Sequence, residues 1–286
     1  VSVTQNDQQY SGSLHFEYED VAPHSLAPGT GPVRGGTMVL VRGSNVHGSP
    51  GGGEYGAFCE FAGSDVVSAS FDGEGTVRCV SPPRAHSGAA PVRLVIGDAV
   101  LVTTISFVYH DEMSVSSVEP VVGVLSGGTR LRIRGSGFDP SVQMVVRIGM
   151  HSVVRADVLS ATLMECTSPS AELPGPLAIE ASRNSQDFTG DEVLFEYQSA
   201  MRVDEVAPAR GPVSGGALVV IAGAGFSRRS AALSYTHVRF NTTRVPAVWH
   251  SSSELRAVAP EHAAGLVLVS VTQNDQQYSG SLHFEY

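Results

Sequence analysis

The sequence contains no lysine. All 18 basic residues are arginine, set against 28 acids, for a formal charge of −10. A phosphate-binding surface needs clustered Lys and Arg, so nucleic acid is excluded as a partner. Apolar runs long enough to span a bilayer are also absent, which leaves no membrane span in this segment. Val1 is neither an initiator Met nor the start of a signal-peptide pattern,. The ten His are scattered and none sits in H-E-x-x-H or another metal-binding spacing,. No G-x-S-x-G elbow occurs,. Gly29–Thr30–Gly31 has no following helix to make it a phosphate loop,. The expectation is a protein that is not an enzyme and holds no cofactor or metal. Abundant Gly (31) and Pro (16) with only 16% charged residues favour β structure, since both are costly inside helices,.

What is present is repetition. Residues 1–18, VSVTQNDQQYSGSLHFEY, recur unchanged as residues 269–286. A looser period lies inside that one. Gly31-Pro32-Val33-Arg34-Gly35-Gly36 returns as Gly211-Pro212-Val213-Ser214-Gly215-Gly216, with Gly123-Val124-Leu125-Ser126-Gly127-Gly128 between them. Short β-type runs follow each: TMVLVRG, TRLRIRG and ALVVIAG. Then come Val77–Pro82, Met164–Pro169 and Leu255–Pro260, and every unit closes on F-x-Y at Tyr18, Tyr109, Tyr197 or Tyr286. Arg130, Arg132 and Arg134 alternate with Leu131 and Ile133, the period-2 pattern of a half-buried strand,. Strand-like runs separated by turn residues at short, regular spacing indicate a β-sandwich.

The order V-x-P-x-x-G-x-x-x-G-G-T-x-L-x-I-x-G-x-G-F, a C-x-x-P strand, then N-x-Q-x-(Y/F)-(S/T)-G leading to F-x-Y resembles the IPT/TIG domain. The N-x-Q element is read from Asn184–Gly190 and Asn274–Gly280. The resemblance implies an all-β chain of tandem, early-set Ig-like sandwiches. Expected domains are 19–111, 112–199 and 200–286, preceded by a partial domain, 1–18, that supplies only the last two strands. An isolated hairpin of that size is marginal in water. Residues 1–18 therefore complete a sheet, either as an overlap in a longer array or as donor strands to another molecule. The short junctions, without Gly/Ser or Pro-rich linkers, make the array a semi-rigid rod.

Resemblance to the family also implies a disulfide between Cys59 and Cys79, adding about 3 kcal/mol in the loop-entropy model; the alternative is two buried free thiols. Cys166 matches Cys79 but faces Val146, and the third unit has Val238 and Ala257 there. Cys166 is thus expected to be a buried apolar-like residue. Asn241-Thr242-Thr243 is the one N-glycosylation sequon, placed at an exposed strand end, so a covalent glycan is expected,. Acidic pairs at the junctions, Glu19–Asp20, Asp111–Glu112 and Asp204–Glu205, fall short of the roughly six to eight oxygens of a calcium cage and are expected to be solvated.

Val39, Leu131 and Val219 should point inward, so their neighbours point out. In the second unit those neighbours are arginines, expected to be an ordinary solvated face. In the others they are Met38 and Leu40, and Leu218 and Val220, which suggests an assembly interface with another chain or an adjacent domain. Together these readings indicate an extracellular or cell-surface structural array that assembles with itself into a fibre or surface layer. The alternative is a receptor or adhesion ectodomain that binds a protein or glycan through sandwich-end loops such as Gly51–Gly53.

Overall fold

Alternation decides which face of each strand is buried. In Arg130–Ser136, Leu131 and Ile133 are fully buried while Arg130, Arg132 and Arg134 are exposed, so one face meets the core and the other meets water. Val39 and Val41, and Val219 and Ile221, are buried in the same way in the matching strands. The computed structural model describes residues 3–4, 10–11, 22–44, 46, 56–63, 65–73, 75–97, 99–101 and 105–286. The fold is all-β, built of Ig-like sandwiches.

Residues 1–112 and 113–286 form two compact units. In the first, β1 (Val3–Thr4) pairs with β2 (Tyr10–Ser11). The rest of the expected partial domain 1–18, and the Gly51–Gly53 insertion, lie outside the described residues. A sandwich follows, made of β3 (Ala22–Ala27), β4 (Thr30–Pro32), β5 (Met38–Ser44), β6 (Ala57–Phe61), β7 (Asp65–Phe71), β8 (Thr76–Val80), β9 (Gly88–Ile96), β10 (Ala99–Leu101) and β11 (Ser106–His110). Its strands pair in the order β3-β5-β8-β7-β6-β9-β11-β4, with β10 on β9.

The second unit contains two more sandwiches. One has β12 (Ser114–Glu119), β13 (Val122–Val124), β14 (Arg130–Ser136), β15 (Met144–Ile148), β16 (Ser152–Ser160), β17 (Leu163–Thr167), β18 (Gly175–Ser182) and β19 (Leu194–Gln198), in the order β12-β14-β17-β16-β15-β18-β19-β13. The other has β20 (Arg202–Ala207), β21 (Leu218–Ala224), α1 (Arg228–Ala232), β22 (His237–Phe240), β23 (Thr243–Ser251), β24 (Glu254–Val258), β25 (Leu266–Thr272) and β26 (Tyr278–Glu285), in the order β20-β21-β24-β23-β22-β25-β26.

Two chain crossings close each sandwich. β16 pairs with β15 through its first half and with β17 through its second, so it passes from one sheet to the other. The opening strand is split at a cis Glu119–Pro120 bond: β12 lies antiparallel to β14, and β13 lies parallel to β19 in the opposite sheet. Cis Ala27–Pro28 and Ala207–Pro208 bonds occupy the corresponding places.

The recurring sequence signature is a set of mutual contacts. The aromatics of the three described F-x-Y pairs stand edge-on, with ring centroids 4.9 Å apart in Phe107–Tyr109, 5.0 Å in Phe195–Tyr197 and 4.9 Å in Phe284–Tyr286. Gly31 and Gly211 have no side chain because a Cβ there would come within 2.7 Å of Phe107 Cζ and 2.6 Å of Phe284 Cζ. The first glycine of each Gly-Gly pair has positive φ, +74° at Gly127, and a Cβ on it would lie 2.5 Å from the Pro169 carbonyl carbon. The Gly-Gly turn is therefore pressed against the end of the C-x-x-P strand, where the Gly128 N–H donates to Ser168 O over 2.8 Å.

The Tyr197 hydroxyl donates to Pro169 O at 2.7 Å, and burial pushes its phenol pKa up. The equivalent Tyr286 hydroxyl is buried with no hydrogen-bond partner among the described residues, its ring stacked on His262. Tyr197→Phe should therefore lower unfolding free energy by about 1 kcal/mol, whereas Tyr286→Phe should leave it unchanged or slightly higher. Urea midpoints at constant m-value check the pair; equal losses from both substitutions would refute the contrast.

Candidate functional site: the junction of the second and third sandwiches

β12 ends where Glu119 faces Arg132, because Pro120 diverts the chain to the other sheet. Arg130 lies beyond that end, so one edge of its main chain has no strand beside it; its other edge pairs with Thr167. A backbone N–H and C=O in such a position need partners. The third sandwich provides them from one side chain. The Arg130 N–H donates to Gln276 Oε1 at 2.8 Å, and Gln276 Nε2 donates to Arg130 O at 2.8 Å. A primary amide here stands in for the peptide group of an adjacent strand.

Gln277 and Asn274 extend the grip. Gln277 Nε2 donates to Gly128 O at 2.8 Å, and its Oε1 accepts from the Thr129 hydroxyl at 3.2 Å and from Asn274 Nδ2. Asn274 Nδ2 also donates to Thr129 Oγ1 at 3.3 Å. The loop is rigid because Asn274 Oδ1 accepts from the N–H groups of Gln276 and Gln277, at 3.2 and 3.0 Å. Asp275, at φ 63°, lies 2.9 Å from the Arg244 guanidinium and 2.8 Å from His237 Nδ1. Arg239 lies over the Tyr278 ring at 3.9 Å, fixing the loop's far end,.

A second set of contacts comes from the short α1. Ser227, its N-cap, accepts from Gln198 Nε2 at 2.9 Å; Ser230 donates to Gln198 Oε1 at 2.9 Å; and Arg229 pairs with Glu196 at 2.9 Å. Burial raises the phenol pKa of Tyr235, with Glu119 and Asp275 adding to the effect. Between the sandwiches lies a polar groove of about 460 Å³, walled by Arg130 and Arg132 on one side and Tyr235, Asp275 and Gln276 on the other. The Asn274 and Gln277 side chains also bond each other, which limits their rotamer freedom,. This arrangement sets a fixed angle between two sandwiches.

The arginine face is not simply solvated, as the sequence suggested. Glu165 is buried beneath it and accepts from Arg132 Nε at 2.9 Å and Arg130 Nε at 2.7 Å. Hydrogen bonding from Arg132, then from Arg130, holds its carboxyl below the usual range against the opposing effect of burial.

The other sequence candidates are spread over the molecule. Cys59 and Cys79 are buried on β6 and β8 with Cα atoms 6.2 Å apart, within disulfide reach,. Cys166 is buried and unpaired, its thiol pushed up to about 12 by burial, so it is inert near neutrality,. Asn241 is exposed in the turn between β22 and β23, with its N–H bonded to Leu268 O at 2.7 Å. Met38 and Leu218 are exposed on outward faces, beside Val80 and Val258, while Leu40 and Val220 are half-buried. Of the junction acids, Glu112 pairs with Arg34 and Asp204 with Arg202 rather than being only solvated, and Glu19–Asp20 lies outside the described residues. Sequence reasoning missed Thr129, Gln198, Tyr235, Gln276 and Gln277. The recurring N-x-Q was the signal available for part of that set.

A family model described as the IPT/TIG domain matches residues 113–197 and 201–286, together well over half of the chain. Mouse Plexin-A2 is 32% identical over 170 residues, 57% of this chain and 9% of the relative. Human Fibrocystin-L is 28% identical over 174 residues, 60% of this chain and 4% of the relative. The chain thus spans less than a tenth of either relative. A solved structure described as the full extracellular region of Plexin A4 aligns over 92% of this chain and 23% of that one, with a TM-score of 0.42 and 16% identity.

Thr129→Val and Gln276→Ala should each loosen the junction, and together show a coupling of about 0.5–3 kcal/mol in a double-mutant cycle. Denaturation of residues 113–286 within the full chain should broaden or split into two transitions. Strict additivity would show that the two contacts act separately. For Glu165, a lowered folded-state pKa means its contribution is full above the usual carboxylate range. It is lost as pH falls through the lowered value. Glu165→Gln should therefore flatten the acid limb of the stability profile; an unchanged limb would remove Glu165 from the account.

Proposed function

The chain belongs to the IPT/TIG domain family, and from that premise we propose that it is part of the ectodomain of a cell-surface receptor or adhesion protein. Its location is extracellular or at the cell surface. In this reading the second and third sandwiches, 112–199 and 200–286, form a stiff segment of spacer that holds their loops at a fixed angle toward an extracellular protein partner. The carboxamide clamp of Gln276 and Gln277 on Gly128–Arg130 supports it most directly, because a spacer works only if its joints keep their angle.

This replaces the self-assembling fibre as the principal reading. The plexin resemblances favour a surface ectodomain over a filament. The exposed Met38 and Leu218 each have one apolar neighbour beside them, Val80 and Val258. Patches of that size do not by themselves indicate a filament. A Cys59–Cys79 disulfide and an Asn241 glycan belong to the same proposal, since both form in an oxidising secretory compartment.

Chain secreted from animal cells should show a Cys59–Cys79 peptide in a non-reducing map and one glycosidase-sensitive mobility shift that Asn241→Gln abolishes. Electron micrographs of it should show separate particles. Free thiols with no glycan would remove the surface reading, and regular fibres would restore self-assembly.

A further inference from the structure

The third sandwich repeats the geometry of the clamped turn and changes its chemistry. Gly215 has φ +71° and presses on the end of β24, and the Gly216 N–H donates to Ala259 O at 2.9 Å. β20 stops where Ala207 faces Val220, so one edge of the Leu218 main chain has no strand beside it, as at Arg130. The side chains differ. Ala217 stands where Thr129 stands, Leu218 for Arg130, and Val258 for Thr167, which pair in the same register. Leu218 and Val258 are 58% and 52% exposed. Ala217 has no hydroxyl, so it can neither accept from an Asn amide nor donate to a Gln, as Thr129 does with Asn274 and Gln277,.

Within the sequence, a first-type sandwich comes after a copy of this end. Residues 269–286 recur as residues 1–18, and there Tyr18 leads through Glu19–Asp20 into the first sandwich. In that sandwich Val95 pairs with Val100 as Thr272 pairs with Tyr278 in the third. The intervening residues are Ile96–Gly97–Asp98–Ala99, where the third sandwich has Gln273–Gln277. They contain no Asn or Gln, and Val100 beside them is 54% exposed. The turn has lost its hydroxyl, and the sandwich that follows such an end has lost its carboxamides.

We propose that the Gly216–Ala217–Leu218 turn, with Val258, is the docking surface for a first-type sandwich following in tandem, and that this junction is held by apolar contact where the preceding one is held by amides. Burial of Leu218 and Val258 drives it. Covalent linkage supplies the effective concentration that so small a contact requires. The proposal extends the spacer reading and does not depend on what the ectodomain binds.

The test joins residues 19–111 after Tyr286 of the full chain, as Glu19 follows Tyr18, and measures amide hydrogen exchange. Exchange over 216–218 and 256–258 should slow about tenfold or more relative to the 286-residue chain,. Leu218→Arg with Val258→Thr, which gives this turn the second sandwich's side chains, should return it to the original rate while β25 keeps its protection. Equal exchange with and without the added sandwich, with the added sandwich protected in its own core, overturns the proposal. So does slowing that survives the double substitution, because another contact would then be responsible. Neither result bears on secretion, the disulfide or the glycan, so failure here is distinct from failure of the surface reading.

Discussion

A strand that ends before its neighbour leaves a peptide group without a partner, and much of this molecule follows from how that group is satisfied. Diverting the chain at Pro120 closes the sandwich, because β13 can then join β19 in the opposite sheet. The same diversion strips Arg130 of its neighbour. An amide side chain from the next sandwich fills the gap with both a donor and an acceptor. Closing one sandwich and positioning the next are thus two results of one bend in the backbone.

Because the clamp addresses mainly main-chain atoms, the outward side chains of the turn are free to vary. Arg130 uses its guanidinium elsewhere, on Glu165, while its N–H and C=O hold Gln276. Thr129 is the exception, since its hydroxyl is part of the lattice of amides. Its oxygen is the one side-chain atom of the turn that the amide lattice uses.

The fold was largely legible in the sequence. Val39, Leu131 and Val219 point inward as alternation requires. The reason is that period-2 burial and positive φ leave local marks on residue choice. The junction was much less legible. Gln276 and Gln277 resemble any polar loop residues until the turn they face is known, and Arg130 resembles a solvated arginine until Glu165 is found beneath it. Contacts between sandwiches join residues far apart in the chain, and no periodicity announces them. Function followed the same limit: repetition suggested a self-assembling fibre, and resemblance to known proteins, not any residue pattern, moved the reading to a surface ectodomain.

The split opening strand also fixes how these sandwiches carry load. In the first, β4 runs parallel to β11 through three residue pairs, and in the second β13 runs parallel to β19 through three. Strands at opposite ends of a sandwich that lie parallel are pulled past one another when its termini are drawn apart. Their hydrogen bonds are then loaded together in shear rather than opened one at a time. The third sandwich has only the Arg210–Glu285 bridge in that place. With fewer parallel pairs there, its opening and closing strands have fewer hydrogen bonds to share that shear.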